Sequence, residues 1–275
     1  MHNYSKLDFS HSRRLCNFAI INEKKKMAEK HFYEQAEYTK KYLIPYFRKN
    51  IPEFHKLSVL EVGCAEGGLL EVLQEMGMEV AGIELSEERA NIAIQKNSKL
   101  NVKVGDIMDP DLPTKLNKKY DLVIMREVIE HVPDKYAAFQ NLDLLTNDNG
   151  FLFVSFPPKR SPFAGHQQIA KSFLKMVPYL HVLPESLLRP VAKKLGEKSD
   201  YVDEIKLHFS TGMVIDQFEY LYTYRHFKPV KKELFLFRPI YAYRFGLPTF
   251  KLPNLPLIRE FISFGCEVLL KKYTI

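Results

Sequence analysis

Six residues of this chain have types and positions suited to binding or proton chemistry: Glu61, Glu84, Asp106, Arg126, His131 and His166. Glu61 lies in the apolar run Val59-Leu60-Glu61-Val62, Glu84 closes Val80-Ala81-Gly82-Ile83-Glu84, and Asp106 closes Val102-Lys103-Val104-Gly105-Asp106. Arg126 follows a fourth run, Tyr120–Met125, and the two histidines come after the fourth and fifth runs. One acid at a strand end is commonly a helix cap, but three in series make a rim that can hold a nucleoside. Carboxylates bind ribose hydroxyls or a cationic ammonium, and an imidazole can take a proton from a hydroxyl near neutral pH. After Glu61 the chain turns through Gly63-Cys64-Ala65-Glu66-Gly67-Gly68, where small residues let the backbone approach a ligand and lead onto a helix N-terminus. A nucleotide-like cofactor is the first expectation.

The elements that must position these groups alternate regularly. Apolar runs at 59–62, 79–84, 101–106, 120–125 and 150–156 read as parallel strands covered on both faces. Ser86 caps a helix reaching about Gln95. The alternation stops at 157–209, where apolar pieces broken by Pro178, Pro184 and Pro190 read as short helices and turns. It then resumes: Ser210 or Thr211 caps a helix from Met213 to about Tyr220, Val230–Phe237 is a strand, and Pro239 to Pro256 is a proline-spaced excursion. A helix near Leu257–Ile262 precedes a last strand over Cys266–Leu270, and residues 22–50 read as a leading helical arm.

The small-residue loop admits two cofactors. Gly63, Ala65 and Gly68 nearly match the dinucleotide fingerprint G-x-G-x-x-G, with alanine in the second place. Gly63, Ala65 and Gly67 equally match the looser E-x-G-x-G-x-G loop that binds S-adenosylmethionine (AdoMet). Glu61, just before the loop, would repel a diphosphate and attract the AdoMet ammonium. Glu84 lies 21 positions after Gly63, close to the spacing at which an acid meets ribose hydroxyls. On these residues the stretch 57–156 resembles the class I AdoMet-dependent methyltransferases, with one Gly-to-Ala departure at Ala65.

That resemblance implies an α/β, doubly wound, seven-stranded and mostly parallel sheet, its last strand antiparallel between the fifth and sixth. It implies an arm over 1–50, a cofactor core over 51–156, a helical acceptor insertion over 157–209 and completion of the sheet by 210–275. It also implies AdoMet contacts from Glu61, Gly63, Ala65 and Gly67, from Glu84 with Leu85, from Asp106 with Ile107 at the adenine edge, and from the Arg126 carbonyl. The segment Glu130-His131-Val132-Pro133-Asp134 resembles ubiquinone-biosynthesis-type O-methyltransferases, which implies that His131 lies near the acceptor at the start of the next helix. His166, in the polar run Gly165-His166-Gln167-Gln168, is a second candidate base or acceptor ligand. A structural histidine bonding a carbonyl, or a solvated loop histidine, is the plainer alternative for each. Asp121 reads as a structural acid at a strand start.

Composition narrows the field. The three cysteines, Cys16, Cys64 and Cys266, have no metal-ligand spacing, and no metal site is expected. No run reaches the roughly 18 apolar residues of a membrane span, and Met1–Asp8 has no apolar signal region, so a reduced, cytosolic setting is expected. Residues 151–275 carry 19 Lys+Arg against 10 Asp+Glu, while 1–150 are slightly acidic within a whole-chain charge of +7. A solvated basic face is the default; an acidic substrate or a peripheral anionic membrane surface is the alternative. The basic residues are scattered, which argues against nucleic acid. The expected activity is O-methylation of a small, glycan-type or lipid-linked acceptor with a histidine base. N- or C-methylation and a non-catalytic AdoMet-binding module are the rivals, and a nicotinamide enzyme is the weakest.

Overall fold

A computed structural model describes residues 26–273. Cys16 and the start of the expected arm, 22–25, lie outside the described residues. Residues 26–38 are helical (α1) and pass through a wider turn, Thr39–Leu43, into α2, Ile44–Asn50. The core then alternates: β1 Val59–Val62, α3 Gly68–Glu75, β2 Val80–Glu84, α4 Glu87–Lys96, β3 Asn101–Val104, a short α5 Leu112–Leu116, β4 Tyr120–Arg126, α6 Lys135–Leu145 and β5 Thr146–Phe156. Ser86 caps α4 as its residue type suggests, its hydroxyl accepting from the Arg89 amide at 3.3 Å.

The insertion consists of three single turns followed by α7, Glu185–Lys194, and α8, Tyr201–Thr211. Pro184 stands at the start of α7, but Pro190 is carried inside it. Pro190 is exposed and so is Ser186, four residues earlier, so water can serve the carbonyl that the proline leaves without a donor. The chain completes the sheet with α9 Ile215–Tyr224, β6 Phe227–Phe237, α10 Pro239–Phe245, β7 Phe250–Leu252, α11 Arg259–Ile262 and β8 Gly265–Lys272. Ser210 and Thr211 do not cap α9; they finish α8, with their hydroxyls turned back onto the Leu207 carbonyl. A residue distant in sequence does the capping instead, since Glu260 accepts from the Ile215 amide at 2.9 Å.

Strand order is β3-β2-β1-β4-β5-β8-β6-β7. The first five strands are mutually parallel, and β8 runs antiparallel between β5 and β6. The three-residue β7 adds an eighth strand at the edge, inside the excursion that its prolines had marked as irregular. Strands β1 and β2 are buried throughout, in keeping with their unbroken apolar runs. By contrast β3 is an edge strand with one buried residue in four. Register places Val62 beside both Ile83 and Met125, so the carboxyl ends of β1, β2 and β4 open onto one crevice. Two apolar layers cover the faces of the sheet, and a third cluster (Leu174, Leu180, Leu188, Tyr201, Ile205) gives the insertion its own small core. No helix among the described residues is long and apolar enough to cross a membrane.

A buried acid anchors the arm to the sheet. Glu267 on β8 is 1% exposed and accepts from Tyr38 at 3.2 Å and Tyr42 at 2.6 Å, whose rings stack on each other. Burial raises the carboxyl from 4.5 to about 7. Because the folded value lies above the unfolded one, the stabilisation is complete below pH 4.5 and is lost as pH rises through about 7. Glu267→Gln should remove a decline of about 3 kcal/mol across that window, read as the difference between the two proteins' urea-denaturation stabilities against pH. Parallel pH profiles would show that Glu267 ionises normally.

Candidate functional site

The loop leaving β1 is built by left-handed backbone at three alternate residues, Gly63 (φ 74°), Ala65 (φ 53°) and Gly67 (φ 80°). A Cβ at Gly63 would stand 2.3 Å from a Val128 methyl, so the position admits only glycine without rearrangement. Ala65 occupies the left-handed region at a cost of about 1 kcal/mol. Its amide is held by Glu84 Oε2 at 2.8 Å, and the other oxygen of Glu84 takes the Ser86 amide at 2.9 Å. Glu84 thus ties the loop to the end of β2. Asp106 similarly accepts from the Met108 amide at 2.8 Å. At the next turn Gly68 opens α3, its amide donating to Gln35 of α1 at 3.1 Å.

These elements enclose a cavity of about 610 Å³. Of the eleven site residues expected from sequence, Gly63, Ala65, Glu84, Leu85, Asp106, Ile107, Arg126, His131 and His166 line it. Gly67 and Glu61 do not: Gly67 shapes the turn, and Glu61 lies behind the wall, 1% exposed. Glu61 accepts from Arg126 NH2 at 2.7 Å, while Glu61 Oε2 and Arg126 Nε are buried with no partner. Burial raises the Glu61 carboxyl and the guanidinium opposes that rise. Arg126 also lies 5.8 Å from the centre of the Tyr38 ring, bringing the arm onto the same charge. Deeper in the site Arg238 grips both oxygens of Glu127, one of them at 2.7 Å, and Ser155 donates to Glu127 at 3.1 Å.

At the other end of the cavity stand the histidines. His131 does not open α6; it closes a tight turn, Ile129–His131, and α6 is capped three residues later by Asp134. His166 is left-handed (φ 54°) at the head of the turn Gln167–Ile169. The two rings are 5.0 Å apart. A third histidine, His208 in the last turn of α8, stacks on His166 at 4.2 Å and lies 5.2 Å from His131. Burial, then the neighbouring imidazoles, lowers His166 from 6.5 to about 4. Burial and His208 also lower His131, and burial lowers His208. All three rings are therefore neutral, with free lone pairs, at physiological pH. Asp121 is structural, as its position suggests, accepting from the Ser58 amide and hydroxyl at 2.9 and 2.7 Å and from Asn147.

Tyr38, Glu127, Arg238 and His208 escaped the sequence reading. They come from the arm, the turn after β4, the start of α10 and the insertion, and no spacing links them. Gln35, also on the arm, gives a direct way to test the coupling of arm and cavity. A Cβ at Gly68 would stand 2.4 Å from the Phe32 carbonyl. Gly68→Ala should therefore push α1 off α3, speed proteolysis within the arm at least several-fold and weaken cavity ligands. Wild-type cleavage rates in limited proteolysis would show that the arm docks independently of this contact.

The family model for a methyltransferase domain matches residues 27–190. A ubiquinone biosynthesis O-methyltransferase of Bordetella avium is 32% identical over 150 residues, covering 50% of this chain and 61% of that one. Its counterpart from Leptothrix cholodnii is 29% identical over 113 residues, covering 40% and 48%. The chain thus spans only about half to three-fifths of the length of these relatives. The AdoMet-dependent methyltransferase of Mesorhizobium loti shares the fold at 15% identity, with a TM-score of 0.51 over 83% of this chain and 96% of that one. With its β1 loop, acidic rim and sheet order, and with the matched domain spanning more than half of its length, the chain belongs to the class I methyltransferases, whose cofactor is AdoMet.

Proposed function

We propose that the protein transfers the methyl group of AdoMet to a hydroxyl of a small, glycan-type or lipid-linked acceptor. The observation that carries this reading is the juxtaposition, in one cavity, of the acidic rim with neutral histidines at its far end. The rim fits the cofactor. Glu84 suits the ribose diol, Asp106 and Ile107 the adenine edge, and Leu85, 68% exposed, offers an apolar face to the base. The orphaned oxygen of Glu61 beside Gly63 suits the ammonium, together with the Arg126 carbonyl.

Methyl transfer is an in-line displacement. The S–CH₃ bond breaks, the C–O bond forms, sulfur leaves as a neutral thioether, and the acceptor proton passes to an imidazole of His131 or His166. The protein's task is to align acceptor oxygen with methyl and to receive that proton. The arm over 1–50 serves as a cofactor cover, 157–209 as the acceptor insertion and 210–275 as the completion of the sheet around 51–156. Exposed apolar residues of the insertion, among them Phe173, Met176 and Leu187, together with its basic residues, favour a bulky, partly apolar acceptor. The O-methyltransferase role of the relatives from Bordetella avium and Leptothrix cholodnii agrees with oxygen as the accepting atom.

Glu84→Ala should weaken AdoMet binding by about 1.5–3 kcal/mol and lower the melting temperature, because the same carboxylate holds the loop. Unchanged affinity in calorimetry would remove Glu84 from the site. His131→Ala or His166→Ala should cut turnover about 10²–10⁴-fold with AdoMet affinity kept. With His166 as the proton acceptor, wild-type activity should persist as pH falls through 6.5 and decline only toward about 4; with His131, the decline should also lie below 6.5. Full rates in both variants on a competent acceptor would dismiss the histidine base.

A further inference from the structure

We propose that His131, His166 and His208 form a binding site for one divalent transition-metal ion of the zinc class, with its fourth position open to the cavity. One ligand nitrogen from each ring can be chosen so that all lie within 4.8 Å of one another. Tetrahedral coordination with Zn–N bonds of about 2.0–2.1 Å brings such nitrogens to roughly 3.3 Å, a closure that requires the stacked His166 and His208 rings to turn out of their parallel arrangement. No ring nitrogen of the three is engaged in a hydrogen bond among the described residues. His131 is exposed and His166 and His208 are half-buried, packed edge to face and face to face, so their unused lone pairs are within reach of an ion arriving from solvent. A cation accepting three lone pairs satisfies them together.

The surroundings are built as a support for such a site. The ligands come from three separate elements: the turn after β4, the turn after β5, and α8. Lys135 fastens two of these, its ammonium donating to the Ile129 and Val132 carbonyls of the His131 turn (2.7 and 2.5 Å) and to the Thr211 carbonyl that ends α8 (2.5 Å). That ammonium donates to three carbonyls, and its charge still reaches the His131 ring. The third ligand is fixed by backbone: His166 is left-handed, and a Cβ on the preceding Gly165 would stand 2.2 Å from His181. A left-handed non-glycine residue at a ligand position is strain of the kind held at functional sites. Behind His131 lies the Glu130 carboxyl, which burial holds toward its protonated form, with one oxygen 3.9 Å from His131 Nε2, beyond hydrogen-bond distance, and the other buried without a partner. Metal-bound histidines commonly direct their second nitrogen at such a group. His131 and His166 line the cavity, so an open coordination position faces the acceptor end.

The consequence for catalysis, unlike the binding itself, rests on the methyltransferase reading. An acceptor hydroxyl entering the fourth position would form a metal–oxygen bond and release its proton to water. The coordinated oxygen would then form a bond to the methyl as the S–CH₃ bond breaks and sulfur leaves as a neutral thioether, so that in the loaded protein the ion, rather than a free imidazole, would lower the cost of deprotonation.

The test uses tag-free, chelator-stripped full-length protein in equilibrium dialysis against Zn(II), with Co(II) as the optical probe. The expected result is one ion per chain, visible Co(II) bands of tetrahedral intensity, and at least a tenfold loss of affinity in His208→Ala, which lies off the cavity wall. His166→Gly, which relieves the left-handed strain and so keeps the fold, should lose metal to the same extent. Substoichiometric binding, or binding that both variants leave intact, would overturn the proposal and leave the cluster as packed neutral rings. AdoMet titration of the same samples separates the two readings. AdoMet binding without metal sinks only the metal site, and metal binding without AdoMet sinks the transferase.

Discussion

The architecture of the site turns on one buried charge. Glu61 lies on a central strand, 1% exposed, where an unpaired carboxylate would cost several kcal/mol. Strand order puts β4 directly beside β1, and Arg126 at the end of β4 reaches the carboxylate at 2.7 Å. The guanidinium in turn lies near the Tyr38 ring, and the Tyr38 hydroxyl donates to Glu267 on β8. Charge and hydrogen bonding therefore run from β1 through β4 and the arm to β8, beneath the crevice that the parallel strands open. Burying this chain in place of apolar packing is not the most stabilising choice. Its persistence is understandable if a cationic ligand shares Glu61, because the pair is left with one acceptor and one donor unused.

The parallel core was legible because its signals are local. Unbroken apolar runs mark strands covered on both faces, small residues mark the turn after β1, and Ser86 begins α4 where its residue type requires. The same locality explains the misreadings. Ser210 and Thr211 have capping chemistry, but α8 continues through them, and the amide at the head of α9 is satisfied by Glu260, 45 residues further on. Pro190 breaks helices in general, yet on an exposed face water can take the place of its lost hydrogen bond. The edge strand β7 has only three residues and sits among prolines, too short for an alternating pattern to show. Burial of β3 was overestimated because an edge strand has sheet on one side only.

The cavity divides along the same line. Its acidic wall comes from residues that end strands, and strand ends can be found in a sequence. Its other walls cannot be found that way. Tyr38 and Gln35 are single polar residues on an arm helix, and only the docking of that helix on Gly68 brings them in. Arg238 reaches Glu127 from more than a hundred residues away, across Gly265, where a Cβ would stand 2.7 Å from the arginine stem. Glu61 adds what its position before the loop does not disclose: in the fold it is paired with Arg126, and one of its oxygens is left without a partner.

The histidines show why residue type alone does not define a mechanism. Considered one at a time, His131 and His166 are two candidate bases, and His208 is a polar residue in a helix. Together they form one chemical unit, because His208 lowers the proton affinity of both other rings and His131 lowers that of His166. A lone exposed imidazole would be half protonated near pH 6.5 and would lose its lone pair in mild acid. Three packed together keep their lone pairs, since protonating one places a cation against two rings in a half-buried space. The cluster is therefore suited to accept a proton briefly or to bind a metal ion persistently. Both uses depend on α8, which brings His208 to the turn after β4 by way of Lys135. The insertion thus contributes to that end of the cavity wall through His166.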